Sequence, residues 1–512
     1  MLELEEVATS PTSDDGLPIG TRRWLLAGGL MAMGALLSKP AQAQGTVFVP
    51  GSNYVDPVSR LVRRLSYGAN SKVLAEAKAL GYQGYLQSQL NYSTIDDSDC
   101  ERTVSEQFGD LQLTSLQLEE LTGVNFYLPL ADATLYRSVF SKRQLFQRMV
   151  EFWTDHFNTS WGRVKNLKYA DDRDVIRKYA MTTFPQLLKA TAHSPAMLHA
   201  LNNDLSLAKA PNQNYARELM ELQTLGVNGG FTQDDVIQVA RALTGWTWEM
   251  DKTKAGYGEF LYNDKWHDQG AKTIFGWDAH PLNLPAKNGQ ADGDAVLNFL
   301  AHHPSTAKFV STKLCKWFLA EQPDPAVVSA VTQVWMNTGG DIKKVLEAIL
   351  SRANLMAAPA KFKRPYHLLV SVLRQLGATV TWVTGEESLG TARSEISNMG
   401  HGLFNWDPPN GYPDTVNYWD SLWLPRWSSA IKAAHGTIGK YVATDLTPYA
   451  GSTVADVVKA INRELFYGEA TATLLAELTT YFQNESSSKV KAATIEAETV
   501  GLALSSLEYQ FY

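Results

Sequence analysis

Apolar residues recur at i, i+3 and i+4 through most of this chain, and that period admits an α-helical fold and very little else. The pattern runs over residues 58–65, 71–80, 141–156, 174–192, 214–225 and 232–243, continues from 295 to 376, and returns in 454–466 and 470–482. Pro185 predicts a break or kink in the fourth stretch, because proline removes a helical N–H. Boundary signals agree with the periodicity. Ser141 with Gln144 and Thr232 with Asp235 read as capping boxes, and Ser194-Pro195 as an N-cap followed by proline at the first helical position. Gly226 and Gly245 stand where helix C-terminal glycines are expected.

The period fails twice. Residues 246–294 are rich in Gly, Asp, Asn and aromatics, with strand-like pieces at 259–262 and 272–275, and read as a long functional loop carrying a small β-hairpin. Residues 398–423 form a second irregular segment. The expected fold is therefore mainly α: a single large multi-helix globular domain over residues 44–512, interrupted by these two loops.

The 512 residues, 45% hydrophobic and 19% charged, supply ample material for a large core. A net charge of -7 offers no basic field for phosphate backbones, which argues against nucleic-acid binding. No stretch beyond the N-terminus is long and apolar enough for a membrane span, and no repeat of fixed period occurs. Cys100 and Cys315 lie too far apart in sequence for a zinc ribbon or a CxxC pair. They read as two buried thiols, with one long-range disulfide as the alternative that an oxidising compartment permits.

Arg22 and Arg23 stand directly before a mildly hydrophobic run, 24–37, that is too short to span a bilayer. Lys39 and Ala41-Gln42-Ala43 follow. This is the pattern of a twin-arginine export signal over residues 1–43 with cleavage after Ala43, and it predicts a periplasmic or extracellular protein. An uncleaved anchor is the alternative. The twin-arginine route carries folded proteins, so a cofactor inserted in the cytoplasm is compatible with it.

Three places put polar groups where local pattern calls for burial. On the helix from Ser141, the stripe Leu145, Met149, Phe152 and Trp153 leads to His156; a buried neutral imidazole bonded to a carbonyl is the plainer reading. Glu218 precedes Leu222 and Leu225 by four and seven residues, so its carboxylate needs an arginine, a metal or a retained proton. Glu221 borders the same face, with ion pairs from Glu218 to Arg241 or from Glu221 to Arg217 as alternatives. In the first loop, His267 and Asp268 lie side by side before Gly270, where a stapling histidine and an Asx turn at Asp268 would also fit. Together these groups form the ligand set of an N/O metal site for iron, zinc or manganese.

The segments Phe152-Trp153-Thr154-Asp155-His156-Phe157, Pro195-Ala196-Met197-Leu198, Asn214-Tyr215-Ala216-Arg217-Glu218-Leu219-Met220-Glu221-Leu222 and Val239-Ala240-Arg241-Ala242-Leu243-Thr244-Gly245-Trp246 resemble landmarks of the bacterial domain of unknown function 1800 family. The resemblance extends from Leu61-Val62-Arg63-Arg64-Leu65 to Pro408-Pro409-Asn410-Gly411-Tyr412-Pro413. It selects the same histidines and carboxylates, implies export, and implies a partner among phosphatase- or sulfatase-like exported proteins encoded nearby. It implies no reaction. The sequence departs from the family pattern at His193, Gln223 and Tyr412.

Three functions follow as expectations. One is an exported metal-dependent hydrolase or oxidoreductase, with His156, Glu218 and His267 as ligands, Glu221 or Asp268 as a further ligand or base, and Arg241 orienting a carboxylate. The second is a non-catalytic envelope or secretion factor in which these groups form a structural network. The third is glycan binding by Trp246, Trp248, Trp266 and Trp277 around the first loop.

Overall fold

The computed structural model describes residues 54–121, 127–275, 280–486 and 491–512. The expected export signal over residues 1–43 and Trp277 lie outside the described residues. Within them the chain is mainly helical, with three small two-stranded antiparallel sheets, and no described helix is long and apolar enough to cross a membrane.

Two large apolar cores organise the helices. One gathers helices Pro57–Leu65 and Ser71–Leu90 with most of the chain between residues 145 and 358. The other is built from residues 100–140 and from the C-terminal part, including helices Pro365–Gln375, Val454–Phe466 and Ala492–Ser505. Helix Gln144–His156 buries Leu145, Met149, Phe152 and Trp153 in the first core. Its other side carries Arg148, Glu151 and Asp155 toward helix Pro365–Gln375 of the second.

Several boundaries differ from the sequence reading for identifiable reasons. Helix Gln144–His156 starts three residues after Ser141, because the Ser141 hydroxyl donates to Asp97 (2.6 Å) and so does not cap the helix. Pro185 lies in the first turn of a new helix, Phe184–Ala192, whose capping box is Thr183 with Gln186; the break falls before the proline, where its missing N–H costs nothing. Ser194 precedes proline as expected, yet its hydroxyl donates to Asp171 at 2.7 Å. The Thr232–Asp235 capping box is present, and Gly226 and Gly245 have φ of +80° and +78°. The first loop holds two hairpins instead of one: Phe260–Tyr262 pairs with Trp246–Trp248, and Lys272–Ile274 with Leu282–Leu284. Cys100 and Cys315 are unbridged and lie in different cores.

Candidate functional site

Arg241, His267 and Asp268 come together around Thr244, but His156, Glu218 and His267 do not bring three ligand atoms within 4.8 Å of one another. His156 is buried in a box of aromatic rings that includes Trp153, Phe157, Phe184 and Phe309, and its Nε2 lies 3.0 Å from the Gln223 carbonyl oxygen. A nitrogen facing a carbonyl must carry the proton, so the ring is the neutral Nε2–H tautomer and its Nδ1 is left without a partner. Burial and nearby Lys313 press its pKa well below the usual histidine value.

Glu218 is only half buried. It ends helix Gln213–Glu218, and residues Leu219–Gln223 continue as a π-helical turn. That turn shifts the helical phase, so Glu218 leaves the stripe that Leu222 and Leu225 predicted for it. Burial and the charge of Glu221 raise its pKa. Glu221 pairs with Arg217 at 3.3 Å, and Arg241 holds Asp268 through two bonds of 2.8 and 3.0 Å.

His267 is buried between the Thr244 carbonyl (2.8 Å from Nδ1) and Asp292 (3.2 Å from Nε2). Both ring nitrogens therefore face oxygen acceptors. Lys272 also binds Asp292, at 2.6 Å, and Asp268 accepts the Gly270 N–H in an Asx turn at 2.9 Å. His156, Glu218 and His267 thus sit in three separate environments. Among the described residues, only Asp97, Cys100 and Glu101 bring three ligand atoms within 4.8 Å of one another. Those groups are already engaged: Asp97 accepts from Ser141 and Lys142, Glu101 binds Arg137, and burial pushes the Cys100 thiol up to about 12. Trp246 belongs to the core and is fully buried.

A denser polar cluster lies where the two cores meet, on the far side of the helix that carries His156. Arg148, Glu151 and Asp155 are spaced i, i+3 and i+7 and form one stripe. His367 Nε2 stands 2.9 Å from both Glu151 oxygens, and the Tyr67 hydroxyl donates to Glu151 at 2.7 Å. The Nδ1 of His367 faces Arg148 (2.9 Å) and the Tyr512 hydroxyl (3.0 Å). With a guanidinium donor at Nδ1, the proton belongs on Nε2, and the neutral ring donates to Glu151. Arg364 binds Asp155 at 2.7 Å and comes within 3.6 Å of Glu151. Among the described residues, Asp155 Oδ1 has no protein partner.

Burial raises the pKa of Glu151 against the pull of Arg364 and Arg148. It raises that of Asp155 against Arg364, with help from the charge of Glu151. Burial and the neighbouring guanidinium groups keep His367 and His401 neutral. The side chains of Glu151 and Asp155 are 11% and 19% exposed and line a cavity of about 30 Å³ with Tyr67, Arg177, His401 and Tyr412. That space holds about two waters.

The second irregular segment closes over this cavity. Asn158 Nδ2 donates to the carbonyls of Trp406 and Pro408, and Ser160 donates to Asp407. Gly411, at φ +71°, packs directly on the Asp155 backbone. Two of the sequence landmarks, residues 152–157 and 408–413, therefore meet at Asp155.

Sequence reading selected none of Glu151, Asp155, Arg364, His367, His401 and Tyr412 as site residues. The polar stripe opposite an apolar face reads as solvent-facing, and its partners Arg364 and His367 lie more than 200 residues away.

The family model described as a protein of unknown function, DUF1800, matches residues 60–511. No curated protein and no solved structure matches the chain. The chain belongs to the DUF1800 family of proteins of unknown function.

Proposed function

We propose that this chain is an exported enzyme whose working centre is the Glu151 and Asp155 cavity, and that it performs acid–base chemistry of the hydrolytic class. One observation carries the reading: two carboxylates one helical turn apart, both with raised proton affinity, open on the same water-sized space beneath a loop. Asp155 is the base in this reading. Arg364 fixes one of its oxygens, and the carboxylate lines the cavity. Glu151, held by His367 and Tyr67, sets the charge beside it. The chemistry needs no metal at His156, Glu218 and His267, which occupy separate surroundings. The cavity admits water and not a whole substrate, so the scissile bond would be presented at its mouth, beside His401 and Tyr412.

A second reading has its own support. The cluster joins groups from both cores and could serve only to lock their packing, as buried polar networks do in some folds. Asp155→Asn separates the two, because the amide keeps the shape while losing the base. On a panel of ester, amide and glycoside substrates, wild type is expected to hydrolyse one class, and Asp155→Asn to lose at least 100-fold of that rate with the fold retained. A wild type inactive on every class, with a variant that only melts earlier, would overturn the enzymatic reading.

A further inference from the structure

The loop that closes the cavity also carries an exposed cluster of aromatic rings. Trp406 lies 4.8 Å from Tyr412 and 5.8 Å from Tyr418, centroid to centroid, with the second pair edge to face. Tyr418 is 42% exposed, and Trp406 is partly exposed. The indole N–H of Trp406 donates to the side-chain oxygen of the exposed Asn410 at 3.0 Å, which fixes the ring's orientation. Asn405 and Asn417 are exposed on either side. In the first loop Trp246 is in the core and the Trp248 indole is tied to Asp204 at 3.1 Å, while Trp266 is partly exposed and Trp277 lies outside the described residues.

Aromatic rings in a segment that also exposes asparagine side chains match one ligand chemistry well. The apolar C–H face of a pyranose ring stacks on the aromatic ring, and amides pair with its hydroxyls as both donors and acceptors. The only charged side chain on the loop between Phe404 and Tyr412 is the exposed Asp407, which disfavours uronate or sulfated sugars. Tyr412 belongs both to the ring cluster and to the cavity lining, so a sugar stacked here lies at the mouth of the Asp155 centre.

We infer that Trp406, Tyr412 and Tyr418 form a binding surface for a neutral saccharide, and that this is the substrate class of the centre beneath. The second half of this inference rests on the catalytic reading above; the binding surface does not.

The test uses full-length protein with Asp155→Asn, so that turnover cannot consume the ligand, and neutral β-linked gluco- and chito-oligosaccharides as probes. Titration calorimetry is expected to show binding to at least one of them. Trp406→Ala and Tyr418→Ala, each added singly, are expected to weaken it 10-fold or more, and oligogalacturonate is expected not to bind. Unchanged melting temperature in Tyr418→Ala separates lost stacking from lost folding. Absence of binding to every neutral probe, or binding indifferent to both ring substitutions, would overturn the saccharide surface. Binding that depends on the rings, in a wild type that cleaves none of the bound sugars, would keep the surface and overturn only its link to catalysis.

Discussion

Gly411→Ala is expected to be among the most damaging single-methyl additions in the protein. Its φ of +71° disfavours any side chain, and a Cβ there would overlap the carbonyl of Asp155, which cannot swing aside as a flexible side chain could. Backbone strain alone costs about 1–2 kcal/mol, and the overlap adds to it by forcing the 398–423 loop off the helix end. Gly436→Ala is the matched control. It has φ of +65° and nothing within 4 Å of the added carbon, so it carries the strain without the overlap. Denaturant unfolding is expected to rank Gly411→Ala clearly below Gly436→Ala, with the cavity exposed to solvent in the former. Equal stability of the two variants would mean that the loop does not rest on Asp155 as described.

The second large effect is expected at Arg364. Its side chain is 1% exposed, binds Asp155, approaches Glu151 and lies against the Trp317 ring at 5.0 Å. Removing it deprives Asp155 of its ion-pair partner and leaves Glu151 only the more distant pull of Arg148, and breaking a buried pair in this way costs about 3–5 kcal/mol. Arg364→Ala should therefore unfold at markedly lower denaturant concentration. The loss should shrink as pH falls, because protonating Glu151 or Asp155 relieves the repulsion. Arg102→Ala breaks an equally short but exposed pair with Asp99 and should change little. A pH-independent loss at Arg364 would point to packing against Trp317 as its main role.

Much of the fold was legible because helical periodicity and end signals are local. Val454–Phe466 falls where its apolar stripe predicts, and the Thr232–Asp235 box and the two C-terminal glycines are in place. What was not legible depended on remote partners or on a change of helical phase. Ser141 reads as a cap until Asp97 claims its hydroxyl. Glu218 reads as at least partly buried, which it is, but a π turn takes the residues after it off the expected helical phase. The two strand-like pieces of the first loop are real strands, but each pairs with a segment that periodicity did not mark.

The site follows the same division. His156 is aimed at the core as its stripe predicts, and it finds a carbonyl and aromatic rings there. Asp155 and Glu151, on the opposite side of that helix, look like an ordinary surface stripe. They become a buried centre only because Arg364 and His367 arrive from the second core and the segment around Gly411 covers the end of the helix. A single sequence records none of those approaches, although the two landmark segments that meet at Asp155 were visible in it.

Asp155 and Glu151 are expected to hold protons more tightly than ordinary carboxyl groups while facing one cavity. Difference infrared titration of the carboxyl bands, wild type against Asp155→Asn and against Glu151→Gln, reads this directly. Each variant is expected to lose a carboxyl signal whose midpoint lies above the ordinary values of 3.8 for aspartate and 4.5 for glutamate. The sign follows from linkage. A raised folded-state pKa means that the native chain binds the proton first, so the pair opposes stability as pH rises through those midpoints. If both lost signals titrate at or below the ordinary values, the carboxylates are simple ion-pair partners of Arg364, and the account of an acid–base centre is contradicted.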